Sequence, residues 1–552
     1  MNNRRRRIFL AAVLAVCAMS GAFLGAQSRG LKAIRADDMK FAVKFLSAPE
    51  FRGRGTPSPE LDIAARYIAL TAASLGLKPL MPDGAFTQDV PVEITTVSPT
   101  RSYLRLAVDG RDRRFPFGGA FGVGRYAGEG DITGSLVFLG LGVSAKDLNW
   151  DDYGSVDLKG KIAVIMDVSL PREHPLKPEE NRRLLMGRAA VARDRGAAAV
   201  VAIINEEREK RLAADDLPFD SPRRLRFPDV DTSMGKPARP GSAGERGREN
   251  SGFLQVEVRH AVAARLLGFG HGELERLFAD VRGGKRVGPK EIPGRKIEIV
   301  LRLDRRREKT ENVVAWAEGR DPELKKEYVV IGSHYDHLGT REGRIFPGAD
   351  DNVSGVAAMF AIARAVAVER PKRSIVFVWH TAEERGLIGA YYFVEHCPVP
   401  VEKISADLNL DMISRNDPGH IFLIGANKLS TELDESIQAM NSRGLRLKLD
   451  YQFEDPAHRE RLFFRSDQFP YIRCGIPGVW FFGGTTEDYH REGDIEPKVS
   501  YEKMEKVARL AYLVAMDIGN KPALLRLDLD PKITERGKRN LSVDWRPSAN
   551  GR

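Results

Sequence analysis

The stretch Tyr328-Val329-Val330-Ile331-Gly332-Ser333-His334-Tyr335-Asp336 decides how this chain is read. It opens with a short apolar run and ends in an imidazole and a carboxylate. Runs of the same kind recur at 374–379, 408–413 and 478–482. Each is short and almost uninterrupted, the pattern of a strand buried on both faces. Between and after them, 354–368, 387–396, 432–442 and 501–518 have apolar positions at helical spacing. From about residue 296 this alternation predicts an α/β fold, a mixed, largely parallel sheet covered by helices on both faces.

Upstream, 37–46 and 59–75 are also helix-periodic, with Gly76 placed as a C-cap, and strand-like segments fill 86–108. The texture changes near residue 130. Strands are expected at 135–139, 161–166 and 197–204, a helix at 188–196, and a polar Gly/Pro/Arg-rich loop at 228–252. The expected organisation is a split catalytic domain, 36–130 and 286–525, carrying a small β-rich insertion domain at 131–285 and followed by a charged tail at 526–552.

Composition sets outer limits. The chain has 552 residues, 42% hydrophobic and 29% charged, enough for two or three domains. Three cysteines cannot build a disulfide scaffold, and 52 Gly with 31 Pro is too few for a collagen-like chain. The formal charge is +10, but Arg4, Arg5, Arg6 and Arg7 supply four of those charges. No basic stripe interleaved with aromatics follows, so nucleic acid is not an expected partner.

Those arginines precede an uncharged run at 8–26 that ends in small residues, so 1–26 reads as a signal peptide or, if uncleaved, an N-terminal membrane anchor. The expected location is therefore exported: periplasmic or secreted, with a membrane tether if the segment stays. Arg6-Arg7-Ile8-Phe9-Leu10 also has the twin-arginine pattern, which would carry a folded, metal-loaded protein. Val16 before Cys17 is a poor lipoprotein box. Cys397 and Cys474 remain as a disulfide pair or two buried thiols.

The chemistry lies directly after the predicted strands: His334 and Asp336, Asp350 and Asp351, Glu383 and Glu384, Asp411, and His490. In an open α/β sheet, ligands bind beyond the carboxyl ends of the strands, where residues distant in sequence converge. Any one of them could be a turn residue, a solvated acid or a helix cap. Together, two imidazoles and several carboxylates suit a pair of divalent ions, most often zinc. Asp351 could bridge, with His334 and Asp411 on one ion and Glu384 and His490 on the other. Glu383 then stays unligated beside the water, as a general base requires.

Four segments carry a resemblance: Gly332-Ser333-His334-Tyr335-Asp336-His337-Leu338-Gly339, Gly348-Ala349-Asp350-Asp351-Asn352-Val353-Ser354-Gly355, Thr381-Ala382-Glu383-Glu384-Arg385-Gly386-Leu387-Ile388-Gly389 and Asn409-Leu410-Asp411-Met412-Ile413. With Gly475-Ile476-Pro477 and Tyr489-His490, they closely resemble the M28 family of di-zinc aminopeptidases. The resemblance implies a zinc aminopeptidase/phosphorylase-hydrolase-like fold and two Zn2+ per chain. It makes His334, Asp351, Asp411, Glu384 and His490 the metal ligands, with Asp351 the bridge because the family's bridging Asp stands four residues before the Gly of its Ser-Gly. Glu383 becomes the base, Asp336 the residue that orients His334, and Tyr489 a residue that helps polarise the substrate carbonyl. The family uses only the first His of its His-x-Asp-His string, so His337 is read as structural, and so is His380.

Within the insertion, Val156-Asp157-Leu158-Lys159-Gly160 and Arg195-Gly196-Ala197-Ala198-Ala199-Val200 resemble the protease-associated (PA) domain of many M28 members, which covers the cleft without supplying a ligand. The expected activity is hydrolysis of N-terminal residues from peptides with a free N-terminus. The rival readings are a carboxypeptidase or glutaminyl cyclase on the same fold, or a non-catalytic binding protein. Retention of every ligand position and of Glu383 favours hydrolysis.

Overall fold

The computed structural model describes residues 29–124, 128–220, 224–226, 253–270, 272–529 and 535–538. The 1–26 segment, expected to be an export signal or anchor, and the 228–252 loop lie outside the described residues.

A main sheet runs in the order Arg224–Arg226, Thr87–Val97, Leu303–Ala317, Ser374–His380, Tyr328–His334, Ile404–Asp411, Gly478–Phe482, His420–Ile424 and Lys448–Asp450. It is mixed, as expected, and its continuous parallel part is the four central strands from Ser374–His380 to Gly478–Phe482. On either side, Leu303–Ala317 and His420–Ile424 join them antiparallel. Alternation along each central strand assigns the two faces. Val329, Ile331, Phe377, Trp379, Leu408 and Phe481 pack with the helices Ala36–Leu46, Pro59–Ser74, Gly355–Val368 and Tyr501–Asn520. Val330, Val376 and Val378 point the other way, onto Ile388–Glu395 and Gln468–Arg473. Each such side chain contributes about 1.5–3 kcal/mol by leaving water. Both faces are covered, which is why these strands carry no polar alternation.

A second sheet takes the order Arg111–Pro116, Tyr103–Val108, Lys290–Leu301, Gly130–Phe138, Ile162–Met166, Ala199–Ile203, Leu254–Val258 and Phe121–Val123. This sheet draws its strands from 103–301, a wider span than the 131–285 expected of the insertion, while Arg224–Arg226 within that span pairs with the main sheet. Period-2 patterning marks a strand but not the sheet it joins. The deciding contact is the antiparallel pairing of Tyr103–Val108 with Lys290–Leu301, nearly two hundred residues away. Entry and exit are pinned together: Ser98 N donates to Arg302 O at 2.7 Å, and Arg302 N donates to Ser102 Oγ at 3.0 Å.

The units also grip each other beside the site. A hairpin, Gly339–Arg341 paired with Arg344–Phe346, follows the His334 strand. At its turn, Glu342 is only 8% exposed and accepts from Arg208 Nε at 2.9 and 3.1 Å and from Arg211 at 2.8 Å, both on the insertion helix Glu206–Ala214.

The 526–552 segment is not wholly a free tail. Asp528 accepts from Thr431 N and Oγ1 at 2.8 and 2.7 Å, and Arg536 donates to Ile404 O and Ser405 O at 2.7 and 3.0 Å. Burial pushes the Arg536 guanidinium down to about 10. An aperiodic charged sequence gives no sign of such docking, because it acts through backbone carbonyls left open where a strand begins.

Candidate metal centre

The parallel strands end side by side, and their last residues are the acids and histidines singled out above. His334 closes Tyr328–His334, Asp411 closes Ile404–Asp411, and Glu383 and Glu384 sit in the turn after Ser374–His380. Asp351 lies in the buried loop that leads into Gly355–Val368, and His490 on the loop beyond Gly478–Phe482. The topology, not any local signal, brings them together.

Asp351 stands at the centre. Its Oδ1 is 3.3 Å from His334 Nε2, and its Oδ2 is 3.2 Å from His490 Nε2. On the first side, His334 Nε2 is also 3.3 Å from Asp411 Oδ1 and 3.9 Å from Glu383 Oε2. On the second, His490 Nε2 is 3.2 Å from Glu384 Oε1. Two donors that each lie about 2.0–2.2 Å from one ion at tetrahedral or square angles are about 3–3.6 Å apart, so these separations suit shared ligation. Two groups of donors, His334, Glu383 and Asp411 in one and His337, Asp351 and Glu384 in the other, each converge within 4.8 Å. Glu384 Oε1 and both ring nitrogens of His337 are buried without a hydrogen-bond partner. Buried polar atoms left open are costly unless something binds them, and this N/O donor set fits divalent cations of the zinc type.

The protonation balance has the same cause. Burial alone would lower His334, but Asp411 and Glu383 outweigh it and hold the imidazole well above its usual value. His490 is likewise opposed by burial yet raised to about 10 by Asp351 and Glu384. Burial pushes Glu383 well up, against the pull of His334 and with the help of Glu384. The cluster is rich in carboxylates, set against its imidazoles and the buried Arg54 guanidinium.

Supporting residues fix the geometry. Asp336 Oδ1 accepts from Glu383 N at 3.0 Å and its Oδ2 accepts from Thr56 Oγ1 at 2.8 Å, while Asp336 O lies 3.1 Å from His334 Nδ1. Asp494 accepts from the backbone N–H of Asp350 and of Asp351 at 2.9 and 3.0 Å. Ser466 Oγ donates to Asp411 Oδ2 at 2.6 Å. Asn352 ties the Asp351 loop to the Asp411 strand, donating to Leu410 O at 2.9 Å and accepting from Met412 N at 3.2 Å. Tyr489 is stacked on His490 and its hydroxyl accepts from Arg465 at 2.8 Å, which leaves its own proton free to donate. Arg54, fully buried, donates to the carbonyls of Tyr335, Leu46, Pro347 and Gly348, and burial lowers its guanidinium to about 10.

Every residue selected from the sequence is in or beside this cluster. Arg54, Thr56, Ser466 and Asp494 were not selected. A trace of Arg54 is visible afterwards in Gly53-Arg54-Gly55: a Cβ on Gly55 would stand 2.9 Å from Gly339 Cα, so the chain can pass this close only as glycine. His337, read as structural, has its Nδ1 2.8 Å from Glu384 Oε1 and 3.8 Å from Asp351 Oδ2. His380 does stay apart, its Nε2 3.2 Å from the Tyr471 hydroxyl.

Residues 312–515 match the family model described as Peptidase family M28, and that stretch holds the whole cluster. This segment is similar to peptidase family M28. An aminopeptidase of Pseudomonas aeruginosa strain UCBPP-PA14 is 33% identical over 155 residues, 28% of this chain and 27% of that protein. A probable leucine aminopeptidase 2 of Aspergillus oryzae is 31% identical over 193 residues, 34% of this chain and 37% of that protein. The chain thus spans about a quarter to a third of the length of these relatives. A zinc aminopeptidase from Bacillus subtilis superposes with a TM-score of 0.52 over 89% of this chain and 98% of its own, at 17% identity. That likeness shows the fold around the M28 segment.

Proposed function

We propose that the chain is a zinc-dependent aminopeptidase that removes N-terminal residues from peptides. The observation that carries this reading is the Asp351 carboxylate, with one oxygen 3.3 Å from His334 Nε2 and the other 3.2 Å from His490 Nε2, as a bridge between two ions would need. In this reading His334, Asp351 and Asp411 would hold one zinc, and Asp351, Glu384 and His490 the other. Zinc bound there would supply Lewis-acid polarisation of the scissile carbonyl and acidification of a water.

The protein's own residues do the rest. The Glu383 carboxylate accepts the proton of the attacking water and passes it to the leaving amine. Asp336 holds Glu383 through its backbone N–H, and Tyr489 donates to the developing oxyanion. Surplus carboxylate in the cluster favours a free α-ammonium group on the substrate. A narrow pocket of about 20 Å³ opens on Asp351, Glu383, Asp411 and His490, and Met412, Leu462, Trp480 and Phe482 in its wall would offer an apolar surface to the first side chain. Trp480 is held there by its indole N–H, which donates to Asp411 O at 2.9 Å.

The inserted unit is, in the same proposal, a PA-like domain at the rim of the cleft, and the 1–26 segment exports the protein to the periplasm or beyond, tethering it if uncleaved. Aminoacyl anilides, N-blocked peptides and N-terminal glutamine peptides, each assayed with and without chelator, test the activity. Chelator-sensitive release from free N-termini alone is expected. Equal cleavage of blocked peptides would overturn it. Glu383→Ala is expected to lower kcat by about 10²–10⁴-fold while keeping its metal, and N-terminal sequencing of the exported protein tests the leader.

A further inference from the structure

Seven large apolar side chains stand exposed among the described residues, and four of them lie on the neighbouring helices Ala36–Leu46 and Pro59–Ser74: Phe41, Phe45, Ile63 and Leu70, at 66, 39, 57 and 66% exposure. They form one surface through Tyr67. Its ring centroid is 6.5 Å from that of Phe41 and 4.8 Å from that of Phe45, and Phe41 stacks on Phe45 at 5.8 Å. Ile63 and Leu70 stand four residues before and three after Tyr67, on the same helix face. The surface is backed from below: Phe45 meets Phe51 edge-on at 5.0 Å, and Tyr67 meets the buried Phe360 edge-on at 6.1 Å. Scattered single apolar residues on a surface are ordinary, whereas a contiguous, rigidly backed patch marks an interaction site.

The charges and the path of the chain point to what covers it. Residues 29–46, which lead into and carry the aromatic face, hold five exposed basic side chains, Arg29, Lys32, Arg35, Lys40 and Lys44, against Asp37 and Asp38. Arg35 and Lys40 pair with those acids, and Arg29, Lys32 and Lys44 enter no ion pair among the described residues. Apolar rings bordered by lysine and arginine suit the headgroup layer of an anionic bilayer. The uncharged run 8–26 ends three residues before Arg29 and is long enough for one bilayer crossing. From residue 26 to the start of Ala36–Leu46 is ten residues, which reach no further than about 35 Å even fully extended. Two copies of the chain meeting through this face would instead bring their basic borders together.

We infer that Phe41, Phe45, Ile63, Tyr67 and Leu70 form a lipid-contacting surface that seats the tethered protein against an anionic bilayer. The inference rests on the reading of 1–26 as an uncleaved anchor and deepens it, from a tether to a fixed orientation. Helix Gly355–Val368 begins just after the Asp351 loop and ends beside the first described residues, where Gly30 N donates to Glu369 Oε2 at 3.1 Å. Its 14 residues span about 20 Å, so the chain leaves for the bilayer at the end of this helix away from the metal centre, and the cleft is held off the lipid.

The test is tryptophan quenching in the full-length protein, reconstituted into phosphatidylethanolamine–phosphatidylglycerol vesicles with or without bromine on the acyl chains. The fluorescence that Phe41→Trp and Leu70→Trp add to the wild-type background is expected to fall in the brominated vesicles. That added by Met186→Trp, at an exposed residue of the inserted unit, is expected to stay. Phe41→Ser with Phe45→Ser is expected to remain in the vesicle fraction through 8–26, to keep the wild-type kcat/KM on an aminoacyl anilide, and to abolish the quenching of Leu70→Trp. Absence of quenching in Phe41→Trp and Leu70→Trp overturns the proposal. Equal quenching in Met186→Trp does the same, as does a dimer in detergent that Phe41→Ser with Phe45→Ser dissociates. Failure of the anchor reading is distinct: N-terminal sequencing would then find an exported chain that begins after residue 26. Quenching of that soluble chain by added vesicles would still support the surface, and its absence would overturn it.

Discussion

Asp336 and Glu383 are joined by one hydrogen bond, the backbone N–H of Glu383 donating to Asp336 Oδ1 at 3.0 Å. The bond links the end of the His334 strand to the turn that carries the proposed base. It puts Asp336 in a broader role than orienting His334 alone, since its second oxygen also accepts from Thr56 at 2.8 Å. Removing the Asp336 carboxylate should therefore misplace Glu383, while the Asp336 backbone carbonyl 3.1 Å from His334 Nδ1 stays in place. Asp336→Ala is expected to lower kcat by about 10–100-fold with KM little changed, and Thr56→Val by less. Steady-state kinetics on an aminoacyl anilide checks this. Wild-type kcat in Asp336→Ala would remove the residue from the mechanism.

Arg54 is buried with four carbonyl partners, and its charge lies among Asp336, Asp494, Asp351 and Glu384. Arg54→Met leaves those carbonyls open and takes a buried cation from an acidic cluster. A loss of roughly 3–5 kcal/mol is expected from urea unfolding, in the range seen when one partner of a buried charged network is removed. Arg54→Lys should recover only a minor part, because a single ammonium cannot reach the positions that a guanidinium fork spans.

Glu454 gives a pH dependence outside the metal centre. Its Oε1 accepts from Gly425 N and Asn427 N at 3.1 and 3.0 Å, its Oε2 is buried and unpartnered, and burial pushes its carboxyl up to about 7. A raised pKa means the folded state prefers the protonated acid. The contribution is fully present below about pH 4.5 and is lost as pH rises through 7, by about 3 kcal/mol in all. Glu454→Gln keeps the accepting oxygen without the ionisation. Its melting temperature should equal or exceed that of wild type above pH 7, and the gap should close toward pH 5. A constant gap across that window would contradict the assignment.

Glu342 and Arg208 tie the hairpin beyond His337 to the inserted unit. If this contact joins the two units, truncating either partner should cost nearly as much as truncating both. A double-mutant cycle of Arg208→Ala and Glu342→Ala is expected to give a coupling of about 1–3 kcal/mol, and the single variants should be cut faster by protease near 98–102 and 302. Additive losses would show that the ion pair contributes nothing to the interface.

The strands, the helices and the proposed reactive residues are legible without coordinates. A strand buried on both faces must be apolar along its length, so 374–379 and 478–482 nearly coincide with Ser374–His380 and Gly478–Phe482. Acids and histidines placed just after such strands stand out for the same reason, since nothing in the core would retain them. Less of the domain organisation is legible. The strand-like segment at 86–108 is divided between two sheets, because patterning records which face of a strand is wet and not which partner it pairs with.

The sequence by itself determined the α/β class and which residues could carry out metal-dependent hydrolysis, since hydrophobic period and donor chemistry are properties of the chain alone. Only the tertiary structure decided that the second sheet draws strands from 103 onward, that Arg536 docks on Ile404, that Arg54 and Asp494 shape the acidic cluster, and that His337 faces Glu384. Each of these depends on a contact between residues far apart in sequence or on a ring's orientation. Those are set by packing, for which a one-dimensional pattern carries no signal.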